Sequence, residues 1–280
     1  MSSVFPAPSG SPGSSASSDF ESRELGPAPG GGSRTVITFV DGGVLATQSA
    51  LRFVALLAGA QGARGHAHAV LTGGTSGTAL LKAVACAPYL DRIDWAEVDL
   101  WWGDERFLPS GHPDRNETQA RAVLLDALPL NPARVHVMAP SDGAFGDDVD
   151  AAAAGYATEL AAAAAGTASA VPGVPDFDLL MLGVGPDGHV ASLFPGHPGF
   201  AVREGTVIAV RESPKPPPTR ISLTLPALRA ATQTWLLAGG EGKADAVARA
   251  LGGENLPAAS VYGTERTLWL LDRPAAAIQV

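Results

Sequence analysis

Apolar residues in this chain gather in short unbroken runs, and the runs are separated by longer stretches in which apolar positions recur every three or four residues. "TVITFV", "HAVL", "EVDLWW", "FDLLMLG", "GTVIAV", "RISLTL", "TWLLAGG" and "TLWLL" are of the first kind. Several are too continuous for a half-solvated strand. The run Phe177, Leu179, Leu180, Met181, Leu182 in particular predicts a central strand covered on both faces. "VLATQSALRFVALLAGAQ", "SGTALLKAVACA", a segment beginning near Asn116, an Ala-rich stretch over about 147 to 165, and "KADAVARAL" are of the second kind and predict helices. The Ala-rich stretch carries Tyr156 and Leu160 among small residues, so it predicts an exposed or lightly packed helix. "RVHVM", 134 to 138, predicts one more short strand.

This alternation implies βαβ units and an α/β class: an open, mostly parallel sheet with helices on both faces, in a single domain. Residues 1 to 33 break the pattern. Ser, Pro and Gly dominate there, ending in "GPAPGGGSR", with too few large apolar side chains to offset chain entropy. A disordered tail over 1–33 and a folded domain over 34–280 are expected.

Composition narrows the picture. At 280 residues and 46% hydrophobic content, the chain can bury a full core. No uninterrupted apolar span looks long enough to cross a bilayer, and the start "MSSVFPAPSGSPGSS" lacks the basic and apolar regions of a secretory signal. A cytoplasmic protein is expected. The single cysteine, Cys86, excludes an internal disulfide and a Cys-based metal cluster, and its helical context predicts a small core residue. The net charge of −9, with no Lys/Arg run, leaves no electrostatic footprint for nucleic acid or an anionic membrane. An anionic small-molecule substrate must therefore be met by a few convergent basic groups and backbone N–H donors. The oligomeric state is not written in the sequence, with a monomer favoured.

Three places carry candidate chemistry. In "AVLTGGTSGTALL" a strand enters a helix through Gly73, Gly74, Thr75 and Ser76, a junction that aims N–H groups and a helix N-terminus at an anion, with phosphate the expected one. The plainer alternative is a tight βα turn capped by Thr75 or Ser76. The stretch is neither a P-loop nor a GxGxxG dinucleotide fingerprint. "DLWWGDERFLP" crowds Asp104, Glu105 and Arg106 at a strand end among Trp101, Trp102 and Phe107, a setting in which the charges must pair with one another or with a ligand. In the following "HPDRNETQAR", Asn116 or Asp114 is a candidate helix cap.

"GVGPDGHVASLFPGH" supplies the titratable group. His189 leaves the buried strand at its carboxyl end, where open α/β sheets bind ligands. An imidazole titrates near ~6.5, so it can take a proton from water, and Asp187 or Asp104 is the candidate carboxylate to orient it. Gly183, Gly185 and Gly188 permit close backbone approach, and the loop's N–H groups can form an oxyanion hole. No G-x-S-x-G elbow surrounds any serine, so Ser192 is not expected to be a nucleophile. Toward the C-terminus, "RESPKPPPTRISLT" adds Arg211, Lys215 and Arg220. "LLAGGEGKADAV" places Lys243 in the first turn of a helix, where a lysine opposes the macrodipole unless an anion binds beside it.

Taken together, "LTGGTSG", "WWGDERFLP", "HPDRNE", "DLLMLGVGPDGHVASLFPGH", "SPKPPPTRISLT" and "LAGGEGKA" resemble the 6-phosphogluconolactonase family, within the group that also holds the glucosamine-6-phosphate isomerases and deaminases. The resemblance runs from about residue 35 to the end. It implies a Rossmann-like α/β fold of the isomerase/deaminase type, and hydrolysis of 6-phospho-D-glucono-1,5-lactone in the oxidative pentose phosphate pathway, without cofactor or metal. It also implies that His189 is the general base, that the lactone lies near Asp104 and Arg106, and that the 6-phosphate meets Gly73, Gly74, Thr75 and Ser76 with Arg220 and Lys243. The related deaminases carry an Asn-Glu pair shortly after the shared histidine. Ser192, Leu193 and Phe194 stand there instead, which argues against ring opening and amine loss. A non-catalytic sugar-phosphate sensor and a dinucleotide-dependent oxidoreductase are the remaining alternatives, the latter disfavoured by the missing GxGxxG.

Overall fold

The computed structural model describes residues 19–167 and 169–278. Ten strands occur in chain order: β1 (Phe20–Leu25), β2 (Ser33–Phe39), β3 (Ala67–Leu71), β4 (Val98–Trp102), β5 (Asp104–Arg106), β6 (Leu179–Gly183), β7 (Val207–Val210), β8 (Arg220–Leu223), β9 (Gln233–Ala238) and β10 (Arg266–Asp272). The main helices are α1 (Gly42–Arg64), α2 (Gly74–Val84), α3 (Asn116–Val123) and α4 (Val149–Ala163). Two one-turn helices follow, α5 (Pro198–Ala201) and α6 (Leu225–Leu228), before α7 (Ala244–Leu251) and the short α8 (Pro257–Ser260).

Seven strands form one open sheet in the order β1-β2-β10-β9-β6-β3-β4. All pairings within it are parallel except β1 with β2. Helices cover both faces, as expected from the unbroken apolar runs. One face buries Phe53, Leu57, Leu80 and Trp102 beneath α1 and α2, and the other buries Trp101, Tyr156, Leu160 and Val247 beneath α4 and α7. β6 lies in mid-sheet between β9 and β3, and its Leu179, Leu180, Met181 and Leu182 are buried on both sides.

A second, three-stranded antiparallel sheet, β5-β8-β7, was not legible in the sequence. Gly103 turns the chain out of β4, and β5 then pairs with β8 so that Arg106 lies opposite Arg220. α4 buttresses this region: the Tyr156 hydroxyl accepts from Trp102 N at 3.0 Å and donates to Trp102 O at 3.3 Å.

Several expectations are corrected. Phe20–Leu25 lies inside the segment read as a tail, yet it forms the antiparallel edge strand β1. Phe20 packs obliquely on Phe39, and Thr35 donates to Glu24 at 2.9 Å. Residues 26–32 of that segment form a turn in which Ala28 N donates to Gly32 O at 2.7 Å, Ser33 opens β2, and residues 1–18 lie outside the described residues. "RVHVM" forms only an isolated bridge, Val135 to Leu100, in a segment bounded by Pro132 and Pro140. α1 is long and apolar enough, by length and composition, to span a bilayer, contrary to the sequence reading. Its Leu45, Phe53, Val54 and Leu57 are buried against the sheet. α4 is not lightly packed, since Val149, Ala152, Ala153, Tyr156 and Leu160 are buried. Its alanines let the helix approach closely. Cys86 is exposed, because α2 ends at Val84 and the chain turns outward.

Candidate active site

The carboxyl ends of β3, β4, β6 and β9 open onto a cleft of about 350 Å³. Crossover connections leave a parallel sheet at these ends, so loops from distant parts of the sequence converge there. Gly73, Gly74, Thr75, Ser76, Asp104, Arg106, His189, Arg220 and Lys243 all line the cleft, and Asp187 stands behind His189.

The glycine-rich turn follows β3. Gly73 is the N-cap of α2, and no side chain caps the helix. Thr75 and Ser76 lie inside the first turn, so the capping alternative does not hold. The first amides of a helix have no partner within it and carry its positive end, so this N-terminus is suited to an anion.

His189 belongs to the loop after β6. Its Nδ1 lies 2.5 Å from Asp187 Oδ1, which identifies Asp187 as the orienting carboxylate. Two lone pairs cannot approach that closely, so Nδ1 carries the proton and Nε2 is left as the acceptor. Phe194 packs on the imidazole with ring centroids 4.6 Å apart. Gly185 is required by close approach, because a Cβ there would lie 1.9 Å from His189 Nδ1, and Gly188 adopts a φ of +84°. Ala191 also holds a positive φ of 49°, a conformation that costs an L-residue roughly 1–2 kcal/mol. Burial alone would push the Asp187 carboxyl up, but its hydrogen bonds to His189 and Lys215 and their positive charge hold it well below the usual carboxylate range. Four of the loop amides are already engaged within the protein. Gly183, Val184, Gly185 and Gly188 donate to Thr72 Oγ1, Leu237 O, His189 O and Gly185 O respectively.

The charged triplet divides into three roles. Asp104 is buried, and both of its oxygens are occupied: Oδ2 accepts from Ser192 Oγ at 2.7 Å, and Oδ1 from Asn116 Nδ2 at 3.3 Å. Each oxygen thus already accepts one side-chain hydrogen bond, and these bonds anchor the strand and Ser192. Ser192, itself fully buried, donates its hydroxyl to a carboxylate and has the geometry of a brace. Glu105 turns inward. Its carboxylate accepts from Asn116 N at 2.7 Å and Glu117 N at 2.9 Å, so it caps α3 from another strand. This replaces Asn116 and Asp114 as the expected caps. Burial raises Glu105 to about 7 despite Arg115 and the amides it accepts from. Arg106 reaches into the cleft and donates from Nη1 to Asp114 O, while its buried Nε has no protein partner among the described residues.

The basic candidates separate as well. Arg211 pairs with exposed Asp150 outside the cleft. Arg220 is buried and spends most of its donors on backbone: Nε on Pro217 O, and Nη2 on Lys215 O and Pro216 O, all at 3.1 Å. Only Nη1 turns toward Ser192 and Asp104, with Asp104 Oδ2 at 4.0 Å. Burial lowers the Arg220 pKa, opposed by Asp104. Lys243 closes a 3-10 turn at the N-cap of α7. Its pKa is lowered by burial and by neighbouring Lys215, against the pull of Asp187. Lys215, one of the basic groups noted ahead of β8 in the sequence, donates to Asp187 Oδ1 at 3.0 Å. Only its place in a proline-rich loop ahead of β8 hinted at a role.

Among the described residues, no group of three or more His, Cys, Asp or Glu is arranged to hold a metal ion. The cleft thus joins an oriented imidazole, an uncapped helix N-terminus and several cations, a combination suited to water activation beside a bound anion.

Comparison with known proteins agrees in kind. A model of the family described as glucosamine-6-phosphate isomerases/6-phosphogluconolactonase matches residues 41–269. The chain is 59% identical over 236 residues to a 6-phosphogluconolactonase of Streptomyces coelicolor, covering 83% of this chain and 90% of that one. It is 47% identical over 250 residues to a 6-phosphogluconolactonase of Mycobacterium tuberculosis, covering 88% and 98%. In fold it is similar to the crystal structure of the Thermotoga maritima 6-phosphogluconolactonase, with a TM-score of 0.72 at 23% identity over 85% of this chain and 98% of that one.

Proposed function

Because the chain belongs to the glucosamine-6-phosphate isomerase/6-phosphogluconolactonase family and stands among its hydrolases, we propose that it hydrolyses 6-phospho-D-glucono-1,5-lactone to 6-phospho-D-gluconate, a step of the oxidative pentose phosphate pathway. The observation that carries the mechanism is the His189–Asp187 pair, which leaves Nε2 as the free acceptor on a residue lining the cleft. His189 takes a proton from water, and the resulting hydroxide attacks the lactone carbonyl. The C1–O bond to the ring oxygen then breaks, and the imidazolium returns its proton to that oxygen as it becomes the C5 hydroxyl. Asp187 stabilises the imidazolium in between. With four of the loop amides already engaged, Arg106 is assigned to the developing oxyanion.

The 6-phosphate is assigned to the amides and hydroxyls of Gly73, Gly74, Thr75 and Ser76, with Lys243 as the cation facing them. Arg220 contributes mainly through Nη1 and the loop it holds. Asp104 positions Ser192 and Asn116. The catalytic unit is residues 34–280 with β1 added at its edge, acting in the cytoplasm on a small phosphosugar lactone.

The test is to generate the phosphorylated and unphosphorylated lactones in situ and follow their decay. The protein should accelerate the phosphorylated lactone with a large preference over the other, and His189→Ala should cost about 10²–10⁴-fold in rate. Decay at the spontaneous rate, or wild-type turnover by His189→Ala, refutes this reading. Ammonia release from glucosamine 6-phosphate would move the chain to the other branch of the family.

A further inference from the structure

Lys215 is drawn into the site by an unusual set of restraints. Its backbone is clamped on both sides: Lys215 N donates to Ser213 Oγ at 3.3 Å, and Lys215 O accepts from Ser213 Oγ at 2.9 Å and from the buried Arg220 Nη2 at 3.1 Å. Its Nζ then reaches Asp187 Oδ1 at 3.0 Å and lies 3.2 Å from His189 Nδ1. An ammonium has only donors, and Nδ1 also donates to Asp187. The Lys215–His189 approach is therefore that of two donors sharing one acceptor oxygen.

Asp187 needs that second donor. It lies on an open turn with its side chain about one-third exposed, and His189 and Lys215 are its only side-chain partners among the described residues. A partly exposed carboxylate held by one imidazole can swing to water, and the imidazole is then free to take the other tautomer. Resting on the lactonase reading above, we infer that Lys215 is a positioning residue that fixes Asp187 and thereby keeps His189 in the Nδ1–H tautomer, with Nε2 presented to water in the cleft. A chain of restraint runs from the β8 residue Arg220 through the Lys215 carbonyl, the Lys215 ammonium and Asp187 to the base. Lys215 also faces the imidazolium formed during catalysis. Its charge opposes that state and favours return of the proton to the leaving oxygen.

The competing role is a direct anchor for the substrate anion, since Lys215 also lines the cleft. Lys215→Met and Lys215→Arg separate the two. As a positioning residue, Lys215→Met lowers kcat at least tenfold while KM for the phosphorylated lactone stays within about twofold, and Lys215→Arg recovers part of the loss. Side-chain ¹⁵N spectra of the ligand-free full-length protein supply a readout independent of activity. His189 should show a protonated Nδ1 and bare Nε2 in the wild type and in Lys215→Arg, and mixed tautomers in Lys215→Met. The signals of His68 and His136, far from the loop, report whether the variant is folded. A rise in KM with unchanged kcat and an unchanged His189 tautomer overturns the inference and makes Lys215 an anion anchor. If the wild type fails to accelerate lactone decay while Lys215→Met still scrambles the tautomer, the lactonase reading falls and the positioning role stands.

Discussion

Gly73 and Asn116 touch so closely that a Cβ at residue 73 would lie 1.8 Å from Asn116 Oδ1. Asn116 in turn donates to the Asp104 carbonyl at 2.8 Å, so the turn after β3, the start of α3 and β5 are locked together across the cleft. Gly73→Ala must displace either the turn or the amide. The expected result is a loss of about 1–3 kcal/mol in stability, as for other overpacked sites, together with a raised KM for the phosphorylated lactone. Denaturant titration and steady-state kinetics check both. An alanine variant with wild-type KM would show that the turn does not meet the substrate.

Ser192 is expected to act as a brace. Ser192→Ala strips the 2.7 Å hydrogen bond from buried Asp104 Oδ2, and an unsatisfied buried acceptor costs about 1–3 kcal/mol. Turnover should fall but persist, with no burst of product. Complete loss of activity in a folded Ser192→Ala protein would point to a covalent role.

Glu105 gives the fold a pH dependence of definite sign. Its pKa is raised from 4.5 to about 7 by burial, so the native state holds a proton that the unfolded chain has already released between those values. Stability therefore falls as pH rises from about 4.5 to about 7 and levels off above that window. Glu105→Gln keeps an acceptor for the α3 amides and removes the titration. Relative to the wild type it should gain on the order of 3 kcal/mol across the window, since each pH unit between 4.5 and about 7 is worth roughly 1.4 kcal/mol. Urea midpoints measured from pH 4.5 to 8 check this, and parallel curves for the two proteins would refute it.

His136 titrates with the same sign for a different reason. It bridges Asp99 at 2.9 Å and Glu159 at 2.7 Å, stacking on Trp101 at 3.6 Å, and so ties α4 to β4. Burial works against its protonation, but the two carboxylates prevail and raise its pKa. The stabilisation is fully present below the ordinary imidazole value of 6.5 and is lost as pH rises through the higher folded value. His136→Gln should therefore lower Tm clearly at pH 6 and much less at pH 9. An equal drop at both would assign His136 a packing role alone.

What the sequence determined by itself is local and periodic. Unbroken apolar runs such as Leu179–Leu182 require cover on both faces, and their alternation with helical stretches leaves few arrangements besides an open parallel sheet with its site at the carboxyl ends. His189 and the Gly73–Ser76 turn were legible for the same reason, since each sits directly after such a run. Pairings across the chain were decided only by the tertiary structure, because they depend on which segments the sheet brings side by side. The sequence left Asp187 and Asp104 as equal candidates to orient His189, and the loop geometry assigned Asp187. Glu105 looked like one of three clustered charges until α3, eleven residues later in the chain, placed its amides on that carboxylate. Arg220 was expected as a basic partner of the 6-phosphate, but folding surrounds it with the carbonyls of residues 215–217 and turns it into the support for Lys215. Hydrophobic periodicity records what a segment must bury. It carries no record of which distant polar groups will satisfy one another once burial has brought them together.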